Sequence, residues 1–308
     1  MSLLRKIGLT VVGVLVLIVI VGALGFVPPS NLESPQTLTP GIVSTPTRHL
    51  AGVVSNVTVH FMDVGQGDAI FIDTNGKDVL VDGGGRSAGK AVVNYLISLN
   101  ITKIDLVVGT HPHTDHIGGL VAVMTVLNVT SVLDNGDVAD TQSYRDYIKL
   151  ARQRALRVAE RGDGVQLDNI TVMTVLAPTQ PLEFKDSNNN SIVLRVDVGN
   201  VTFILTGDIE ASGEQSIIRA GLDIDGEILK VSHHGSRTST SLEFIEAVSP
   251  EVAVISVGKG NIYGHPHQET LIKLATKGVH VYRTDLNGSI VISTDGAGYT
   301  VLVETPTA

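Results

Sequence analysis

The sequence predicts an α/β protein, a four-layer αββα sandwich preceded by one transmembrane helix. The first observation behind this is an apolar run near the N-terminus, residues 7–27, that contains no charged side chain. The second is that, from residue 53 onward, short stretches rich in Val, Ile and Thr alternate with stretches of helical periodicity. This mixture favours two mixed sheets packed face to face, with helices covering their outer faces.

The apolar run is predicted to be a membrane anchor, because it is close to the roughly 20 residues that a helix needs to cross a bilayer. Arg5 and Lys6 precede it, and the next basic residue is Arg48. The positive-inside rule therefore places residues 1–6 in the cytoplasm and the rest of the chain outside it. A cleaved signal peptide, which would release a secreted protein, is the alternative, although its apolar core is usually shorter.

Residues 28–52 are rich in Pro, Ser and Thr and are predicted to be an extended linker. Residues 53–304 are then left for the sandwich domain. The chain has no cysteine, so a metal ion in this domain would be held by His, Asp or Glu.

The domain begins with predicted strands in VTVHFMDV, DAIFIDT, KDVLVDGG and KIDLVVGT. Helices are expected near 88–99, after Ile117, near 141–161 and near 210–220, with further strands between them. Chemically active residues recur where strands stop, namely His111, Asp208, His233 and His265. Strand ends meet at one edge of a sandwich, so a site is expected there.

The densest cluster of potential metal ligands is THPHTDHIGG, residues 110–119. In an extended loop, His111 and His113 point the same way and can face one ion. A helix beginning near Ile117 would turn Asp115 and His116 toward a second point. Imidazole and carboxylate suit zinc, iron or manganese, so one segment can serve two metals.

The pattern His-X-His-X-Asp-His resembles the metallo-β-lactamase superfamily. A series of motifs is also similar, in order, to the metallo-β-lactamase-like domain of the ComEC competence (DNA internalization) family: FMDVGQGDAIFI, VDGG, THPHTDHIGG, NNNSIVLRV, ILTGDIE, LKVSHHGSRTSTS and NIYGHPH. The resemblance covers roughly Val57 to Thr300 and implies the metallo-β-lactamase fold.

The resemblance also implies two divalent metal ions, zinc or manganese, held by residues of these motifs. The implied ligands are His111 and His113 for the first ion, Asp115 and His116 for the second, Asp208 between both, and either His233 or His234 for the second. Asp82 in VDGG would lie behind these ligands and orient a histidine. Asp63 and Asp68 flank a Gly-X-Gly turn and are expected to fix that loop, so Asp63 is grouped with Asp82 as a supporting residue.

One departure from the superfamily pattern is DSNNNS, residues 186–191, which stands where many members supply a third histidine to the first metal. A first site with fewer nitrogens should bind zinc less tightly and leave room for manganese. Asn190 and Ser191 of this segment are expected to contact the substrate. Ser236 and Arg237 of HHGSRTSTS are expected to hold a phosphate, although the same segment can serve as a helix N-cap.

Two residues are expected to take part in the reaction itself. Asp115 would orient a water molecule activated by the metals as well as bind metal, and His265 would protonate the leaving oxygen. The alternative for His265 is that it stabilises its loop.

The substrate expected from the resemblance is a phosphodiester, most simply single-stranded DNA. The net charge of −9 argues against a broad nucleic-acid-binding surface. The predicted basic helix 141–161 could guide a strand, or its cations could simply complement the helix dipole. Alternatives are a phosphodiesterase, esterase or lactonase acting on a small or cell-envelope substrate, and a non-catalytic metal-binding partner of a separate polytopic channel protein.

Overall fold

The computed structural model describes residues 57–304 together with the short segment Val43–Ser44. The predicted cytoplasmic N-terminus, the predicted anchor and most of the predicted linker lie outside these residues. Val43–Ser44 falls within the predicted linker and pairs as a strand with Thr300 and Val301. Within the described part of the chain, no helix combines the length and the apolar character needed to cross a membrane.

The described residues contain sixteen strands. In chain order they are β1 Val43–Ser44, β2 Val57–Phe61, β3 Ile70–Asp73, β4 Val79–Val81, β5 Lys103–Gly109, β6 Asn128–Asp134, β7 Ala155–Val158, β8 Gly164–Gln166, β9 Thr171–Ala177, β10 Val193–Val198, β11 Val201–Leu205, β12 Ile228–Lys230, β13 Val252–Ile255, β14 His280–Arg283, β15 Ile290–Thr294 and β16 Tyr299–Val303.

The α-helices between these strands are short. They are α1 Gly89–Ser98, α2 Thr114–Ile117, α3 Leu120–Val126, α4 Gln142–Ala151, α5 Ala211–Arg219, α6 Leu242–Val248, α7 Gln268–Thr276 and α8 Thr284–Asn287. A 3₁₀ turn, Ser232–Gly235, follows β12.

Both sheets are mixed, as predicted. The first has the order β1-β16-β15-β2-β3-β4-β5-β6-β7 and the second β14-β13-β12-β11-β10-β9-β8. Strands β4 to β7 run parallel in the first sheet, and β11 to β14 run parallel in the second. The carboxyl ends of each parallel set therefore lie along one edge of their sheet.

The strands place alternate residues in different layers, as β3 illustrates. Ile70 and Ile72 belong to the core between the two sheets, whereas Phe71 packs with Leu96 of α1 on the outside. On the other sheet, outward-facing side chains of β11 and β12 pack against Phe244 of α6. Helices thus cover both outer faces, and the predicted four-layer sandwich is confirmed.

The predicted long helix 141–161 is wrong in its second half. Helix α4 ends at Ala151, and Ala155–Val158 pairs in parallel with β6 as an edge strand. The Arg154 guanidinium donates hydrogen bonds to the carbonyl oxygens of Leu150 and Met124 at the point where the chain leaves α4. Pairing with the open edge of β6 overrides local helix propensity here, so the basic residues of 141–161 do not all lie on one helix.

Candidate metal centre

The ends of four parallel strands bring histidines and aspartates together at one edge of the sandwich. His111 follows β5, Asp208 follows β11, His233 and His234 follow β12, and His265 lies in the loop after β13. They surround a cleft of about 280 Å³. Its lining consists of Gln66, His113, Asp115, Asn188, Asp208, His233, His234, Tyr263 and His265.

One oxygen of Asp208 lies at the centre of this arrangement. Its Oδ2 is 3.1 Å from His116 Nε2, 3.4 Å from His234 Nε2, and 3.9 Å from the Nε2 atoms of both His111 and His233. The Asp208 backbone N–H is fixed by a 3.2 Å hydrogen bond to Ser191 Oγ. The carboxylate is buried, which alone would raise its pKa, but His116 and His234 hold that pKa well below its ordinary value.

His116 is oriented from behind by Asp82, as the sequence predicts. Asp82 has a left-handed backbone (φ 58°) that turns its carboxylate inward. Asp82 Oδ2 lies 2.7 Å from His116 Nδ1 and also accepts from the Thr110 hydroxyl, while Oδ1 accepts from the Thr110 backbone N–H. Helix α2 begins at Thr114, earlier than predicted, and carries His116 in its single turn. Burial lowers the pKa of His116, but Asp208 and Asp82 outweigh burial and raise it well above 6.5.

His111 and His113 are adjacent but differ in exposure. His111 is buried, with Nδ1 3.1 Å from the Thr110 hydroxyl, and burial together with His116 lowers its pKa. His113 is exposed, and its Nδ1 lies 3.0 Å from His111 Nε2. The two rings therefore present nitrogen atoms to the same small volume.

His233 and His234 both adopt left-handed backbone angles, with φ of 49° and 53°. This conformation is costly for residues other than glycine and turns both side chains toward the cleft. His234 Nδ1 lies 2.9 Å from the Ser256 carbonyl, so Nε2 is free to face Asp115 Oδ2 at 3.5 Å. His233 lies farther out, with Nδ1 3.2 Å from Glu210.

Lys230 and Asp68 form a buried ion pair directly behind the histidines. Lys230 Nζ also donates to the Gly207 carbonyl at 3.0 Å and lies 3.8 Å from Asp208 Oδ1. Asp68 Oδ1 lies 3.4 Å from His234 Nδ1. Sequence reasoning assigned no role to Lys230; the signal was a lysine within the otherwise apolar strand sequence EILKVS, where burial requires a charged partner.

A family model described as "Metallo-beta-lactamase superfamily" matches residues 62–259. The chain belongs to the metallo-β-lactamase superfamily.

Curated relatives of this superfamily member include a protein named for competence. The ComE operon protein 3 of Bacillus subtilis (strain 168) is 35% identical over 254 residues, which cover 75% of this chain and 32% of that protein. The competence protein ComA of Neisseria gonorrhoeae is 32% identical over 254 residues, covering 78% of this chain and 34% of that protein. The resemblance to the ComEC family is confirmed, and the chain spans about a third of the length of these relatives.

A solved structure, a mutant of the CmlA β-hydroxylase, aligns with a TM-score of 0.50. It is 12% identical, and the alignment covers 77% of this chain and 54% of that one. At this identity the likeness concerns the fold alone.

The metallo-β-lactamase fold typically binds two divalent metal ions, and the residues present fit them. Ligand atoms of His111, His116 and Asp208 lie within 4.8 Å of one another, as do those of Asp115, His116 and His234. The donor atom His234 Nε2 is buried without a hydrogen-bond partner. Buried polar atoms are normally paired, so this orphaned nitrogen fits a cation. The donors are imidazoles and carboxylates, which suit zinc and manganese alike.

The two residues of DSNNNS predicted to contact the substrate are instead structural. Asn190 is buried, and its side chain hydrogen-bonds the backbone N–H and carbonyl of Phe184. Ser191 is buried behind Asp208. The residue of this segment that lines the cleft is Asn188, whose buried Oδ1 has no hydrogen-bond partner. Sequence alone could not choose among three consecutive asparagines.

The other residues predicted to contact substrate or to support the ligands also differ in whether they are buried or exposed. Ser236 is buried and its hydroxyl pairs with that of Thr238, so it is not open to a phosphate, whereas Arg237 is exposed. Asp63 is also exposed and accepts the backbone N–H of Gly65 within a turn, so it does not support the ligands. The buried Asp68 of the same loop occupies that position instead.

His265 lies beside the cleft with its ring 5.6 Å from that of His233. Burial and the neighbouring imidazoles lower its pKa to about 4. A neutral imidazole is therefore expected near pH 7, which is unfavourable for donating a proton. The role as proton donor stays a prediction.

Proposed function

We propose that this protein is a membrane-anchored, extracytoplasmic metal-dependent phosphodiesterase that cleaves DNA. The observation that carries the proposal is the convergence of four imidazoles on Asp208 Oδ2, at an open cleft between strand ends. The relatives direct the choice of phosphodiester toward DNA, since the ComEC family takes its name from competence and one relative is named a competence protein.

The proposed ligands follow from which atoms face one another. His111 and His113 serve the first ion, and Asp115, His116 and His234 serve the second, with Asp208 shared. When bound, such a pair of ions lowers the pKa of a water molecule and stabilises charge on the attacking and leaving oxygens. The first site lacks a third imidazole. Asn188 belongs to residues 186–191, the segment where many superfamily members supply that histidine, and it lines the cleft.

The remaining residues would act by holding these side chains in place. Asp82 accepts the Nδ1 proton of His116, and the Ser256 carbonyl accepts that of His234, so each ring directs its Nε2 lone pair toward the cleft. Asp115 is partly open to solvent, and His234 and His116 lower its pKa against the effect of burial. An ionised Asp115 at the cleft can accept a proton from water or orient it.

A small ester is the second candidate substrate. The cleft volume of about 280 Å³ is at the lower end of ordinary small-molecule sites. The membrane anchor rests on the apolar run at residues 7–27, and the separate-channel hypothesis rests on the resemblance to the ComEC family.

The test is to purify the full chain in detergent and assay it with manganese or zinc. The substrates are labelled single-stranded DNA and bis-nitrophenyl phosphate. Both should be hydrolysed, a chelator should abolish both activities, and Asp115→Ala should lower kcat by at least about 100-fold. Asp63→Ala is the matched control, because it removes an exposed aspartate that only closes a turn.

Two outcomes would contradict the proposal. Hydrolysis of the small ester without any cleavage of DNA would favour the second candidate. Full activity in Asp115→Ala would show that the reaction does not take place in this cleft. The anchor is tested separately: a C-terminal tag should be digested by protease added to intact spheroplasts.

A further inference from the structure

The turn between β13 and α7 presents apolar side chains to solvent beside the cleft. Ile262 is 92% exposed and Tyr263 is 58% exposed. Ile262 is the most exposed large apolar residue among those the structure describes. Exposed apolar side chains that adjoin a cleft are available to contact a ligand there.

Hydrogen bonds close this turn, so its exposed side chains are carried by an ordered backbone. The Asn261 side chain donates to the carbonyl oxygens of Gly258 and His265, at 2.9 and 2.6 Å. Its Oδ1 accepts the backbone N–H groups of Tyr263 and His265, at 3.1 and 3.0 Å. One side chain therefore holds both ends and the middle of the turn. Such a preorganised surface loses little conformational entropy when a ligand binds.

The ring of Tyr263 extends the imidazole cluster outward. It stacks on the His265 ring, with centroids 5.6 Å apart and planes 25° apart, and both residues line the cleft. His265 in turn lies 5.6 Å from His233, whose Nε2 is 3.9 Å from Asp208. A flat ring stacked at Tyr263 would thus lie in the same cleft as a phosphate at Asp208.

Two cations belong to this turn and to a segment that contacts its end. Lys259 lies in the turn, and the Arg237 backbone N–H donates to Nδ1 of His267, the residue before α7, at 3.1 Å. Both are exposed, and neither forms an ion pair with another residue in the described range. Exposed apolar side chains, one of them an aromatic ring, together with unpaired cations in the same and an adjoining segment match a ligand in which planar rings alternate with phosphates.

We propose that Ile262 and Tyr263 form a stacking surface for an unpaired nucleobase next to the scissile phosphate, with Lys259 and Arg237 contacting the flanking phosphates. This inference rests on the proposed function and adds that Tyr263 determines specificity. The base must be unpaired, because a base within a duplex has both faces covered by its neighbours. The surface thus selects single-stranded over double-stranded substrate.

The test measures binding and cleavage separately with the metal-loaded full chain. Affinity is measured by fluorescence anisotropy for a single-stranded oligonucleotide, for an abasic strand of the same length and charge, and for a duplex. The variants are Tyr263→Ala, Tyr263→Phe, which keeps the ring, and Val126→Ala, which removes exposed apolar surface at the end of α3. Cleavage of the same substrates gives KM and kcat.

Tyr263→Ala should weaken binding of the single strand by about 5- to 100-fold and raise KM similarly, with little change in kcat. Tyr263→Phe should bind like the wild type, and the abasic strand should bind all variants equally. Equal losses on the base-containing and abasic strands, or no loss beyond that of Val126→Ala, would overturn the stacking surface while leaving the nuclease intact. A wild type that shows the base-dependent affinity but cuts no DNA would retain the surface and refute the proposed reaction. Failure to bind any strand would refute both.

Discussion

Replacing Lys230 with methionine should destabilise the fold more than any surface charge change would. The substitution keeps an unbranched side chain, one atom shorter, but removes an ammonium that is fully buried between Asp68, Asp208 and the Gly207 carbonyl. At 3.8 Å from Asp208, and with an effective dielectric constant of about 20, the attraction to that carboxylate alone is about 4 kcal/mol. Part of this is offset by the cost of burying the lysine, whereas the variant leaves Asp68 buried without its cation.

We therefore expect Lys230→Met to lower the free energy of unfolding by about 3–5 kcal/mol in chelator at pH 8. For a domain of this size, this corresponds to a fall in Tm of about 2–4 °C per kcal/mol. Burial raises the pKa of Asp68, and Lys230 is the strongest influence lowering it. Without Lys230 that pKa rises, so protonation at lower pH should relieve the charge and reduce the loss at pH 5.

The assay is urea unfolding at pH 5 and pH 8, with Lys273→Met as the control. Lys273 is half-buried and donates a 2.7 Å hydrogen bond to the Ser239 carbonyl, so its loss should cost about 1 kcal/mol at pH 8. A Lys230→Met loss no larger than that of the control, or one independent of pH, would refute the reasoning. Either result would mean that Asp68 is stabilised by the neighbouring histidines without help from the lysine.

Two further predictions concern the first sheet and its loops. Burial lowers the pKa of His60 from 6.5 to about 4. Between these two pH values His60 is protonated in the unfolded state and neutral in the folded state. The free energy of unfolding should therefore fall by about 3 kcal/mol as the pH drops from 6.5 to about 4. His60→Gln should remove that fall, which urea unfolding at pH 7 and pH 4.5 would detect; an unchanged pH dependence would assign it to other groups. A Cβ at Gly67 would lie 2.1 Å from the Asp115 carbonyl oxygen, so Gly67→Ala should displace Asp115 and reduce hydrolysis by at least about 10-fold. Gly65→Ala, where a Cβ meets nothing within 4 Å, should retain most activity, and equal losses in the two variants would show that backbone strain alone is responsible.

The layers of the fold were predictable because they depend on local periodicity. The alternating pattern of strands such as β3 and the amphipathic pattern of helices such as α1 depend only on neighbouring residues. Two such sheets then have few ways to bury their apolar faces. The end of α4 was not predictable. The residues after Ala151 are compatible with a helix, and only the open edge of β6 makes a strand more favourable there.

The sequence by itself determined the kind of chemistry at this site. His111, His113, Asp115 and His116 are close in the chain, and no fold could place them far apart. Asp208, His233 and His234 could be added because they stand at the ends of strands. Residue type and spacing indicated a metal site at these positions, whereas the individual ligand roles followed from the resemblance to the ComEC family and stay predictions.

The tertiary structure alone decided which side chains support that chemistry. Lys230 and Asp68 are 162 positions apart yet share one buried ion pair, while Asn190 turns away and Asn188 faces the cleft. Side-chain direction in irregular loops depends on hydrogen bonds to distant backbone groups, which no local pattern records. For the same reason, only the tertiary structure places the exposed ring of Tyr263 in the cleft that Asp208 also lines.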